Sequence, residues 1–180
     1  MKYCIFLFLI FYGINIYSQK NDSVKVKYWS ETDRLTLAYF NIEKTIYPDR
    51  TCNFHGEIKF YGFKYKGKSK EYIKRSVLNF MIDDSWIDTS FNVSNQLKYM
   101  QVQFDLSEVH ARRLRKELVL KETFNTKVIN KVKKNYLERF SAEFEKLEKE
   151  TADGKNTEVV DSWERYVKSE LLLLETYAVN

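Results

Sequence analysis

The chain has 180 residues, with 30 basic and 25 acidic side chains and a formal charge of +5. Aromatic residues make up 16% of it, too rich a supply of core formers for an intrinsically disordered chain. Basic residues are interleaved with acidic ones, which speaks against a nucleic-acid surface, and five scattered glycines leave no Gly-rich phosphate loop.

At the N-terminus Lys2 precedes an apolar run from Cys4 to Tyr12, followed by Gly13, Asn15 and Ser18. A short positive start, an apolar stretch of about ten residues and a small residue before polar chain is the pattern of a secretory signal peptide. A membrane span needs roughly 20 apolar residues, and Asn15 and Ser18 arrive too early for one. The expectation is therefore a signal peptide at 1–18 and a single domain at 19–180, periplasmic or secreted, with no transmembrane segment after cleavage. Cys4 lies at the very start of the apolar run and leaves with it, so it is not placed for lipid attachment. Cys52 then stands alone, which excludes an internal disulfide and leaves stability to packing.

Strands are predicted next. Residues 24–29 (Val24 to Trp29) alternate with period two, as do Ile58 and Phe60, then Phe63 and Tyr65 after a break at Tyr61-Gly62 that reads as a bulge. Gly67-Lys68-Ser69 is a turn candidate, and the basic run Lys64, Lys66, Lys68, Lys70, Lys74 and Arg75 reads as a solvated sheet face with a lysine-protected edge. Leu78, Phe80 and Ile82 alternate up to Asp83-Asp84-Ser85-Trp86.

From about Ser94 the period becomes helical. Leu97, Met100, Phe104, Ala111, Leu114 and Leu118 mark one helix. Phe124, Val128, Val132, Tyr136, Phe140, Phe144 and Leu147 mark a second, widened by Ile129 and Leu137, with the charged cluster from Glu138 to Glu150 and its Lys146 and Lys149 as the solvated face. Asp153-Gly154 ends it, and Asn156 or Thr157 caps a third helix carrying Val160, Trp163, Val167, Leu171 and Leu174. Antiparallel strands followed by three long helices make the fold class α+β.

One segment carries a resemblance. Leu97 to Lys116 reads LKYMQVQFDLSEVHARRLRK. It resembles the helix of a bacterial family of predicted secreted zinc-dependent proteases, a domain of unknown function in which the pattern is roughly H-E-Q-x-H-F-D-L-x-E-x-x-A-R-x-L-R. Gln101, Phe104, Asp105, Leu106, Glu108, Ala111, Arg112, Leu114 and Arg115 match in register. Three further stretches are similar. Trp29 with Arg34-Leu35-Thr36 and Phe40 resembles the family's opening W…R-L-T-W-x-D-F, although Leu37 and Tyr39 replace its Trp and Asp. Phe80 with Ser85-Trp86-Ile87 resembles its F…S-W strand, and Glu150 to Gly154 followed by Trp163 resembles its E-T-x-H-G…W ending. The likeness spans nearly the whole of 19–180.

The departures fall on the chemistry. An H-E-x-x-H helix works because two imidazoles at i and i+4 face one Zn²⁺ and the Glu between them serves as general base. Here those positions are Tyr99, Met100 and Gln103, and the family's later His is Asp153. A thioether cannot act as base, and a phenol with a pKa near ~10 is a poor metal donor. The resemblance thus implies a zincin-like helix without its metal ligands: an exported, non-catalytic relative with no catalytic residue, metal or cofactor. A peptide or an envelope protein would be its partner, in a less polar cleft past Tyr99 and Gln103. The competing expectations are an active metal-dependent hydrolase with substitute ligands from Asp153, Glu108 and His55, and an exported structural or interaction protein with no cleft function. Asp105 and His110 are about 140° apart on a helix and do not converge. Glu108 and Arg112 read as an i, i+4 ion pair, and Cys52 and His55 as no more than neighbours in sequence.

Overall fold

The computed structural model describes residues 25–43, 50–60, 76–82, 84–120 and 126–178. The expected signal peptide, the bulge at Tyr61-Gly62, the turn at Gly67-Lys68-Ser69, the basic run from Lys64 to Arg75 and Phe124 lie outside these residues. Among the described residues the order is α+β, six short strands and then three long helices.

The strands are β1 (Val26–Tyr28), β2 (Asn41–Glu43), β3 (Cys52–Asn53), β4 (Gly56–Phe60), β5 (Ser76–Met81) and β6 (Trp86–Asp88). One sheet has the order β1-β5-β4, all antiparallel; the other has the order β2-β6-β3. The expected antiparallel pattern is broken by β2, which runs parallel to β6. Three of the described strands, β3 to β5, separate that pair along the chain, long enough for the crossover that a parallel neighbour requires. The two sheets join where β5 passes into β6 and β3 into β4. Fully buried Ser85 makes that joint: its hydroxyl donates to the Met81 carbonyl (2.8 Å) and accepts from the His55 N–H (3.0 Å). A small side chain with a donor and an acceptor satisfies the backbone groups that the bend frees from the ladder.

The alternation in β1 does not follow hydropathy. Lys27 is buried, at 6% exposure, while Tyr28 is 54% exposed. Lys27 pairs with Asp33, and its ammonium lies 4.5 Å from the centroid of the Tyr39 ring, so the stem is buried without an orphaned charge.

The helices are α1 (Val93–Val119), α2 (Thr126–Thr151) and α3 (Thr157–Leu173). Asn92 caps α1 by accepting from the Asn95 N–H (3.1 Å), and Asn156 caps α3 by accepting from the Val159 N–H (3.4 Å). Side-chain pairs set their directions. Lys98 meets Asp161 and Glu164, and Arg112 meets the Leu171 carbonyl, so α1 and α3 run parallel. Arg113 meets Glu143 and Arg139 meets Glu117, so α2 runs antiparallel to α1. The turn after α2 holds three consecutive positive φ angles, Ala152 (50°), Asp153 (54°) and Gly154 (80°), where the sequence called for one glycine.

The core joins the sheets, α1 and α3, with Leu147 of α2. Phe80 and Phe104 touch at 5.7 Å between centroids, with Phe40 and Phe54 against Phe80 at 5.2 and 5.4 Å. A satellite of Leu114, Leu118, Val132 and Tyr136 joins α1 to α2. Leu137, expected to widen that stripe, is 59% exposed, because the contact is carried by Val132 and Tyr136 and Leu137 is turned about 100° away.

Candidate functional site

Helix α1 is buried on all sides from Tyr99 to Arg112, although half of its residues there are polar. A polar group taken from water must find a partner or cost about 1–3 kcal/mol; the matching residues of the resemblance are partnered, whereas Gln103 Oε1 and His110 Nε2 make no hydrogen bond. Asp105 accepts from Trp29 Nε1 (2.9 Å), Gln101 Nε2 (2.8 Å) and both terminal nitrogens of Arg34 (3.3 and 2.9 Å). Burial pushes its carboxyl above the usual range even with the Arg34 charge beside it. Gln101 Oε1 accepts the Leu35 N–H at 2.7 Å. The strap from Trp29 to Leu35 is thereby fixed to the helix, with the Arg112 guanidinium 5.0 Å from the Trp29 ring centroid.

The other half of the signature closes the end of α3. Glu108 accepts from Arg112 Nε at 3.0 Å and from Arg115, and all three are buried. The expected i, i+4 pair therefore forms in the interior rather than on a solvated face. Arg112 donates to the Leu171 carbonyl (2.7 Å) and Arg115 to the Tyr177 carbonyl (2.6 Å). A guanidinium at the Leu171 carbonyl, in the last turn of α3, satisfies a group left unpaired there and complements the dipole, while Arg115 holds the short turn Glu175–Tyr177 that follows.

The positions aligned with the zinc apparatus are sealed. Tyr99, Met100 and Gln103 are 3%, 0% and 5% exposed, so none of them lines the open, less polar cleft that the sequence suggested. Gln103 Nε2 donates to the Tyr99 hydroxyl at 3.1 Å, joining the two would-be ligand positions to each other. Burial pushes the Tyr99 phenol well up, with Glu148 and Asp153 adding to the rise, so it is a neutral hydroxyl. The turn that carries Asp153 and Gly154 lies beside Tyr99. The Tyr99 ring also fills the space at Gly154, where a Cβ would lie 2.6 Å from it. Asp153 itself lines an open cleft of about 440 Å³ with Arg50, Glu145, Glu148, Lys149 and Ala152. A neutral phenol, an amide engaged with it and a thioether in the core do not fit a zinc ion, which takes imidazole, thiolate or carboxylate donors.

The substitute ligands stay apart. Glu108 is held by two arginines, His55 is exposed at the β3–β4 link, and Asp153 lies in the turn after α2. Among the described residues, no three His, Cys, Asp or Glu side chains gather where they could hold a metal ion. Cys52 is buried and free, and burial pushes its thiol up to about 12. His55 is exposed while Cys52 is in the core, so that pair makes no dyad.

One constellation was not anticipated. His110 Nε2, buried, lies 2.9 Å from Glu143 Oε2 without hydrogen-bond geometry. Glu143 also accepts from Arg113 (2.7 Å) and the Tyr166 hydroxyl (2.8 Å), and Arg113 reaches Glu170 (2.6 Å). Burial raises the Glu143 carboxyl, but contacts with His110, Tyr166 and Arg113 outweigh it and hold the group down at about 2. Glu143 was read with the solvated charges of α2. Its spacing, seven residues after Tyr136 and three after Phe140, puts it on the inward-facing stripe.

Compared with protein-family models, curated proteins and solved structures, the chain matches none.

Proposed function

We propose that this chain is an exported, non-catalytic relative of the secreted zinc-dependent proteases, in which the signature helix is kept as the hub of the fold. One observation carries the reading. Tyr99 and Gln103 bond to each other, sealed from solvent, at the two positions where a protease of this type would need imidazoles. The matching polar residues Gln101, Asp105, Glu108, Arg112 and Arg115 all have architectural partners, which gives a reason to keep them without catalysis. With the Tyr99 position closed, binding of a peptide or envelope protein falls to the outer surface.

The test is metal analysis of purified 19–180 together with a casein-cleavage assay. The expected result is far less than one zinc per chain and no cleavage that a chelator abolishes. Stoichiometric zinc with chelator-sensitive cleavage overturns the reading in favour of an active hydrolase.

A further inference from the structure

The groove between α2 and α3, about 320 Å³, is lined by Glu143, Lys146, Glu150, Val159, Ser162, Trp163 and Tyr166. Its walls are fixed from behind. Trp163 Nε1 donates to Glu150 Oε2 at 3.0 Å, which sets the indole plane. The Tyr166 ring stands at 84° to Trp163 with centroids 5.5 Å apart, and its hydroxyl is held between Arg113 (3.0 Å) and Glu143 (2.8 Å). Arg113 and buried His110 face Glu143 from the α1 side, so its charge is committed to the interior. Glu150 is the carboxylate left facing the groove.

An ammonium already sits there. Lys146 Nζ lies 5.7 Å from the Trp163 ring centroid and 3.8 Å from Glu150 Oε1. An aromatic face and a carboxylate converging on one cation are the elements of ammonium recognition. The Lys146 side chain is 63% exposed and its contact with Glu150 is long, so this internal occupant is held weakly.

We propose that this groove is a seat for an alkylammonium group, filled in the free protein by Lys146 and taken over by a lysine side chain of a partner polypeptide. The chemistry favours that occupant: the walls offer a ring face and a carboxylate oxygen, suited to a cation on a slim apolar stem. Preorganised walls also reduce the ordering cost of binding. The inference rests on the binding half of the reading above and is independent of its non-catalytic half, because Lys146 and Glu150 are remote in role from Tyr99 and Gln103.

The experiment follows the Trp163 indole N–H resonance of 19–180 during titration with an acetylated, amidated Gly-Lys-Gly peptide, its norleucine counterpart and butylammonium. The lysine peptide should give a saturable shift and the norleucine peptide none. Lys146→Ala, a surface change, should tighten lysine binding about fivefold by removing the internal competitor, and Glu150→Gln should weaken it about fivefold or more, the size expected for one ammonium contact of about 1 kcal/mol. Tyr166→Leu should weaken it while leaving the far-ultraviolet circular dichroism unchanged. Absence of a saturable shift in both the parent and Lys146→Ala overturns the proposal, as does an equal response to norleucine or no tightening on removal of Lys146. Butylammonium binding as tightly as the peptide overturns the polypeptide partner. None of these outcomes alters the zinc and casein result.

Discussion

Asp105→Ala is the substitution that most directly probes α1 as a hub. The carboxylate receives donors from Trp29, Arg34 and Gln101, so its loss strands three groups at once. Removing one partner of a buried ion pair costs about 3–5 kcal/mol. The Arg34 side chain is 38% exposed and can turn to water, which discounts its share. The Trp29 and Gln101 donors have less freedom, at about 1 kcal/mol or more each. The expected loss is about 3 kcal/mol, which at a urea m-value of about 2 kcal/mol per molar lowers the midpoint by about 1.5 M. Asp105→Asn keeps an oxygen for Trp29 and Gln101. Burial already disfavours the charge at this position, so the amide should cost about 1 kcal/mol. Urea unfolding followed by tryptophan fluorescence measures both. An alanine loss below 1 kcal/mol would refute the hub argument; an asparagine loss equal to alanine's would shift the weight from oxygen acceptors to charge.

Acid should weaken the α1–α2 contact. The Glu143 carboxyl is held at about 2 in the fold against 4.5 for the free group, so its contribution is complete above 4.5 and is lost as pH falls from there toward 2. Unfolding free energies of Glu143→Gln measured across that window should show a shallower acid slope than the parent; an unchanged slope removes Glu143 from the account. In the turn after α2, Gly154→Ala should lower stability by about 2 kcal/mol or more, because φ is 80° and the new Cβ would meet the Tyr99 ring at 2.6 Å. Ala152→Gly, at φ 50°, should instead raise stability by about 1 kcal/mol, and thermal unfolding of the two variants gives opposite signs if the turn geometry is right. Cys52, buried with its thiol pushed up to about 12, should react with a maleimide only when the chain is unfolded. Modification within minutes in native buffer would show that this part of the core opens.

Much of the architecture is legible in the chain because period and capping are local. The switch from period two to helical spacing near Ser94, the Asn156 cap and the stop at Gly154 each depend on a few neighbouring residues, and each has its counterpart in α1, α3 and the turn between α2 and α3. The Glu108–Arg112 pair was readable for the same reason. Its burial was not, since that depends on strap, sheet and α3 all packing on one helix. Hydropathy likewise misplaces Lys27, whose burial is permitted by Asp33 and Tyr39 further along the chain.

The sequence by itself determined the identity of the groups at the three motif positions: a phenol, a thioether and an amide, whose chemistry is the same in any fold. Tertiary structure decided what those groups do. It closed the space around Tyr99 and Gln103, directed Asp105 to the N-terminal strap and Glu108 to the end of α3, and brought Glu150, Lys146 and Trp163 to one groove. Helical spacing fixes which side chains share a face, but whether that face meets water, a carboxylate or an aromatic ring depends on segments distant in the chain.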